Sequence, residues 1–340
     1  MNNRIEGIEY LRAIMSIFVV VWHMGGGGQS LIFSEDKYLE HVFTVSDFIN
    51  FHLLLMAVPT FIFVSIFLYT SKPVSSTTFK KQFIRIFILL TFWPTALIIY
   101  NGGYQGLLAI LPNSTVGFIY TTLRAGNTIY YFFTSLIICL FISYPFIRLK
   151  IHIQIWVFSC SVILLIFLPE FTKLTGFYSL SAYWNPLNFV PISFAAVLVS
   201  QNKNHILENK KIALCISIVL CIFLSIFEWK YSVGKVFFPG QGYAIPAYTR
   251  ASLLFSVFAI FILILNQKIK ANGIIKYMAK YSLALYCLHP FLMSQIMGFT
   301  AILVQNKIVA LYMSILLTIA FSYFMAMLLN KYYLREKVMM

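Results

Sequence analysis

The stretch Leu11–His23, LRAIMSIFVVVWH, carries an arginine near its start and a histidine at its end, with apolar residues and one serine between them. On an α-helix the 11-residue step from Arg12 to His23 returns to within about 20° of the same face and rises about 16 Å. Glu9, Ser16 and Val19 fall close to that stripe. One side of the helix therefore presents an acid, a guanidinium, a hydroxyl and an imidazole in sequence. Imidazole is the side chain best suited to take up and return a proton near neutral pH. A plainer arrangement is also open: Arg12 extends to the headgroups with Glu9 as its i, i+3 partner, and His23 rests in the opposite interface beside Trp22.

Two further groups could do chemistry. In FKKQFIRIFILLTFWP, Lys80, Lys81 and Arg85 head an apolar run. Such a cationic cluster can dock a phosphate-bearing ligand, although basic residues at inner helix ends also follow from topology alone. In YSLALYCLHPFL, His289 sits inside an apolar run, and Pro290 removes a backbone donor beside it. A structural role for His289 is as compatible with this as a catalytic one. Glu228 with Trp229 reads as an interfacial anchor, and His41, His52, His152 and His205 receive no role. The five cysteines lack metal-type spacing and read as core residues, so no metal site is expected.

The elements that must carry these residues are membrane helices. The chain is 60% hydrophobic and 10% charged over 340 residues, with a mean hydropathy of +0.85. A soluble globular domain has roughly a quarter of its residues charged. About ten apolar runs are long enough for a hydrocarbon core about 30 Å thick: residues 8–27, 47–70, 80–100, 128–147, 152–169, 183–201, 211–229, 249–266, 275–299 and 308–330. Backbone amides in lipid must be paired internally, and these runs are too uniformly apolar for barrel strands. The expectation is an all-α bundle of about ten transmembrane helices, one polytopic domain over residues 1–340. The run 183–201, with Pro186 and Pro191, is the weakest. With the N-terminus inside, 18 of the 25 lysines and arginines fall on the cytoplasmic side, as the positive-inside rule requires. Both termini are then cytoplasmic, and the net charge of +15 reports topology and not nucleic acid. The longer outer segments are 28–46, 101–127, 170–182 and 230–248. A signal peptide over residues 1–28 is disfavoured by Glu9 and Arg12.

The head IEYLRAIMSIFVVVWH resembles the first helix of the membrane acyltransferase-3 family, whose signature is an arginine and a histidine separated by ten residues. AVPTFIFVSIFLYT (Ala57–Thr70), TIYYFFTSLIICLFISYP (Thr128–Pro145) and YSLALYCLHP (Tyr281–Pro290) are similar to its second, fourth and late helices, in order. Where the family's third helix often opens Arg-x-x-Arg, this chain reads Gln82-Phe83-Ile84-Arg85, so only Arg85 carries over, with Lys80 or Lys81 as substitutes. The resemblance implies a multi-pass acyltransferase of the bacterial cytoplasmic membrane. It would move an acyl group, commonly acetyl, from acyl-CoA to a hydroxyl of a surface polysaccharide or its lipid-linked precursor. Acyl-CoA is then a substrate and no cofactor is bound permanently. His23 would be the catalytic group, as general base or as transient acyl carrier; Arg12, Arg85 and Lys81 would hold the donor; Glu9, Ser16, Tyr286 and His289 would support them. The rival readings are a transporter or flippase of lipid-linked glycans, or a glycan polymerase.

Overall fold

The computed structural model describes residues 6–26, 44–110, 114–232, 245–265 and 270–332. Arg4, Lys37, Lys235, Lys268, Arg335, Lys337 and His41 lie outside the described residues, as do most of the outer segments 28–46 and 230–248. In chain order the helices are α1 (Glu6–His23), α2 (Val45–Asp47), α3 (Ala57–Thr70), α4 (Ser76–Ala109), α5 (Thr115–Leu123), α6 (Tyr131–Phe146), α7 (Ile151–Thr175), α8 (Val190–Gln201), α9 (Lys203–Glu208), α10 (Lys210–Ser232), α11 (Ala251–Leu265), α12 (Gly273–Lys280), α13 (Ser282–Leu303) and α14 (Lys307–Tyr332). A π-helical stretch, Phe48–Leu53, and a 3-10 turn, Leu54–Met56, join α2 to α3 without a break.

Among the described residues there is no strand, and each of the ten apolar runs falls on a helix. Six of the described helices are long and apolar enough to cross a membrane, and three shorter apolar ones accompany them. Several carry large apolar side chains outward: Trp156 is 71% exposed, Leu164 69% and Phe223 63%. Surface of that kind is stable in hydrocarbon and not in water. This is a multi-pass membrane protein.

Local signals set the ends. Thr44 and Asp47 form a reciprocal capping box at α2. Asn272 Oδ1 accepts from Ile275 N at the head of α12, and Gly176, at φ 72°, closes α7 in the left-handed conformation. The weak run 183–201 becomes a 3-10 turn, Pro186–Phe189, leading into α8. Its asparagines are neutralised by backbone: Asn185 Nδ2 donates to Ser179 O at 2.8 Å and Asn188 Nδ2 to Ala182 O at 2.7 Å. Segment 101–127 departs from the loop expected of it. The chain kinks at Gly103, whose φ of 57° is left-handed, residues 104–109 form a further helical stretch, and Ser114 caps the additional helix α5 through Gly117 N.

The chain forms two compact units, each assembled from separated segments. The first comprises Met1–Gly27, Lys81–Thr134 and Lys268–Met340; the second comprises Gly28–Lys80 and Ser135–Gln267. In the first, Glu6 accepts from Ala271 N at 2.6 Å and from Lys276 Nζ at 3.4 Å, which ties α1 to α12. A Cβ at Gly26 would lie 2.6 Å from Ile315 Cδ1, so the chain beyond α1 meets α14 at a distance that glycine allows. In the second, Phe63 and Phe67 of α3 both pack on Phe261 of α11, with ring centroids 4.7 Å away in each case. Thr70 Oγ1 donates to Ser200 Oγ at 2.8 Å, joining α3 to α8.

Candidate active site

All eight residues marked out by the sequence (Glu9, Arg12, Ser16, His23, Lys81, Arg85, Tyr286 and His289) belong to the first unit, although they come from three separated segments. The helix α1 is continuous over its 18 residues, so Arg12 and His23 do share a face. Glu9 and Ser16 are buried, whereas Arg12 and His23 are half-buried. Ser16 Oγ donates to Ala13 O at 2.8 Å and lies 3.4 Å from the Tyr323 hydroxyl of α14. Its role is thereby to fix α1 against its neighbour.

His23 meets His289. The two imidazole centroids are 5.2 Å apart with ring planes inclined by 44°. His289 is fully buried, and its Nδ1 lies 3.2 Å from Leu285 O. A carbonyl oxygen only accepts, so Nδ1 carries the proton of the neutral ring and Nε2 is left as an acceptor. That buried Nε2 has no hydrogen-bond partner among the described residues. A buried polar atom without a partner costs about 1–3 kcal/mol.

An aromatic clamp holds α13 at this point. Tyr130 OH donates to Cys287 O at 2.6 Å, and Tyr286 OH donates to Ile129 O, also at 2.6 Å. The two tyrosines thus exchange hydroxyl donations between α13 and the residues leading into α6. Phe132 and Phe133 pack on the Tyr286 ring at 5.4 and 5.9 Å, and Tyr286 in turn contacts His289 at 6.1 Å. The Tyr286 hydroxyl is thus engaged with Ile129 O while its ring lies beside His289. Sequence resemblance pointed to Tyr286; the pairing of Tyr286 with Tyr130 is visible only in the fold. The helix α4 is fastened nearby through Tyr100 OH, which donates to Phe291 O at 3.1 Å, and through Trp93, edge-on to Phe291 at 6.1 Å.

Lys81 and Arg85 stand one turn apart on α4, both exposed. They belong to the same unit as Arg12 and the histidine pair. The ring contact itself is made by α1 and α13 alone.

A second polar constellation, unmarked in the sequence, lies in the second unit. Arg250 is buried, at 2% exposure. Its Nε donates to Glu228 Oε2 at 2.9 Å, Nη1 to Phe51 O at 2.6 Å and Nη2 to Ser252 Oγ at 3.2 Å, while Nη2 lies 3.0 Å from both ring nitrogens of His52. Glu228 also accepts from Ser252 N at 2.9 Å and from Ser252 Oγ. Trp229 Nε1 donates to His52 Nε2 at 2.8 Å. The π-helical stretch makes this possible: Phe51 and His52 both lie in it, where the wider turn changes the register of the backbone ladder. Glu228 is therefore half of a buried ion pair and not merely an interfacial anchor, and His52 has a defined place. One signal in the sequence pointed there: Glu228 ends one apolar run and Arg250 begins the next, so opposite charges fall at the same end of adjacent helices.

No curated protein and no solved structure matches the chain. A family model described as an acyltransferase domain, that of the acyltransferase-3 family, matches residues 5–327 of the 340. The match spans both units and every residue of the histidine site, and the chain belongs to this family: it is a membrane acyltransferase.

Proposed function

We propose that the protein transfers an acyl group, acetyl in the simplest case, from cytoplasmic acyl-CoA to a hydroxyl of a bacterial surface polysaccharide or its lipid-linked precursor, within the cytoplasmic membrane. The observation that carries this reading is the contact between half-buried His23 and fully buried His289. His23 is open to a substrate, and the His289 ring packed against it sets its orientation.

The steps follow from those roles. A His23 nitrogen takes the proton of the acceptor hydroxyl as its oxygen attacks the thioester carbonyl. The carbon–sulfur bond breaks, and the departing thiolate receives a proton, leaving an ester and free CoA. In the covalent variant His23 attacks the thioester first and the hydroxyl then displaces the acyl group from the imidazole. Arg12, Arg85 and Lys81 hold the donor's phosphates, while Glu9, Ser16, Tyr286 and His289 keep α1 and α13 in place around them. The chemistry needs no permanently bound cofactor in this scheme.

Mass spectrometry of the surface polysaccharide, with and without the gene, tests the reading. Loss of the acetyl mass increment from an otherwise intact polymer is the expected result. Loss of the whole polymer would favour a flippase or polymerase instead.

A further inference from the structure

The second unit contains a cavity of about 380 Å³ at the C-terminal ends of α7 and α10 and the start of α11. Among the described residues its ionisable lining is Glu170, Lys173, Glu228 and Arg250, and apolar contributions come from Phe167 and Phe227. Two carboxylates and two cations leave the cavity with no net formal charge. A phosphate or carboxylate ligand would be repelled by both glutamates as strongly as it was drawn to the cations, so the balance selects a neutral molecule. Carboxylates that accept, Lys173 as a donor, and aromatic rings for C–H contact together suit a compact polyhydroxyl compound. The volume lies at the lower end of the range for small-molecule sites, which fits a sugar ring or two.

The floor of the cavity is preorganised. Glu228 is held by Arg250 Nε and by both the amide and the hydroxyl of Ser252, so its carboxylate is fixed before any ligand arrives. Glu170 and Lys173, exposed on the last turns of α7, stand at the rim. The starts of α7 and α10 carry Lys150, Lys210 and Lys211, and the positive-inside rule assigns that end to the cytoplasm. The cavity then opens at the outer face.

We infer that this cavity is a carbohydrate subsite of the second unit, which binds a neutral sugar of the acceptor glycan through Glu170, Lys173 and Glu228, with Arg250 holding Glu228 in place. Calling the sugar an acceptor rests on the proposed acyl transfer; the binding of a neutral saccharide does not.

The test uses the full-length protein in detergent without any acyl donor, so that it reads binding alone. Saturation-transfer NMR is run with neutral disaccharides built from hexoses, 6-deoxyhexoses and N-acetylhexosamines, and with a uronate-containing disaccharide. The expected result is saturable binding of at least one neutral disaccharide, in preference to the uronate, weakened tenfold or more in the rim variant Glu170→Gln/Lys173→Met. That variant leaves the Arg250–Glu228 pair untouched, and a thermal midpoint equal to wild type verifies its fold. Absence of binding across the neutral panel, equal binding by a folded rim variant, or tighter binding of the uronate overturns the inference. None of these results bears on the acyl-transfer reading, whose own failure would appear in the polysaccharide spectrum with sugar binding intact.

Discussion

In the second unit Arg250 donates to Glu228, Phe51 O and Ser252, and Glu228 accepts from both Arg250 and Ser252. In the first unit His289 donates to Leu285 O and keeps a buried Nε2 with no partner among the described residues. Both clusters place ionisable groups in a low-dielectric interior, where partners decide whether such groups stabilise or cost. The Arg250 cluster has its donors and acceptors matched, and it holds the π-helical stretch, α10 and α11 together. The His23–His289 pair leaves acceptor capacity unfilled, which suits the proton transfer proposed for it. The contrast between the two clusters is one of filled and unfilled hydrogen bonds.

The sharpest way to test that contrast is His23→Ala, which removes the reacting group and leaves the helix packing as it is. Acyl transfer should fall by about 10²–10⁴-fold, the range for loss of a general acid–base group, with the protein still inserted and its thermal midpoint near wild type. Normal acetylation of the polysaccharide in cells carrying this variant would end the assignment.

Arg250→Met does the reverse. Removing one partner of a buried pair strands the other, at a cost of about 3–5 kcal/mol, so the folded yield and the unfolding midpoint should drop sharply. An unchanged midpoint would mean that the cluster is not structural. His289→Gln comes next. If His289 orients His23 through their ring contact, kcat should decline by about tenfold, the equivalent of about 1.4 kcal/mol of lost positioning. The KM for acyl-CoA should stay near wild type, and a purely structural role would instead lower the midpoint with kcat per folded molecule preserved.

Arg85→Ala should raise the KM for acyl-CoA by about tenfold, the equivalent of one charge-assisted hydrogen bond, and move the acceptor KM much less. Equal changes in both would take Arg85 out of the donor site. The smallest effect is expected at the head of α1, before the apolar run. The Glu6 carboxyl is held below the usual carboxylate range by the Ala271 N–H and, secondarily, by Lys276. A depressed folded pKa contributes stability above the unfolded value, and that contribution disappears as pH falls through the folded one. Glu6→Gln should therefore lower the thermal midpoint slightly at neutral pH, with the difference from wild type closing below about pH 4.5, the ordinary value for this group. A gap that persisted in acid would show that the carboxylate charge is not what joins α1 to α12.

Much of the fold was legible because hydrocarbon imposes a simple grammar. Apolar runs of sufficient length become helices, and each of the ten did so, even the proline-bearing 183–201. Segment 101–127 was read differently because its glycines and asparagines resemble loop residues; Ser114 and the apolar residues of α5 outweigh them locally. Within the site, Arg12 and His23 were legible from one helix's periodicity, and Tyr286 and His289 from resemblance. Tyr130 and His52 were not, because their importance lies in partners far away in sequence. No period within one helix encodes the donation of Tyr130 to Cys287 O or of Trp229 to His52.

The sequence by itself determined that this chain is helical, lies in a membrane, and bears an arginine and a histidine on one face of its first helix. Those are consequences of composition and of a repeat set by backbone geometry, which each segment obeys alone. The tertiary structure decided that His23 meets His289, that two tyrosines lock the helix presenting it, and that Arg250, Glu228 and His52 form one matched cluster. Such contacts depend on which helices become neighbours and at what rotation, a choice made by packing across the whole bundle and written in no single segment.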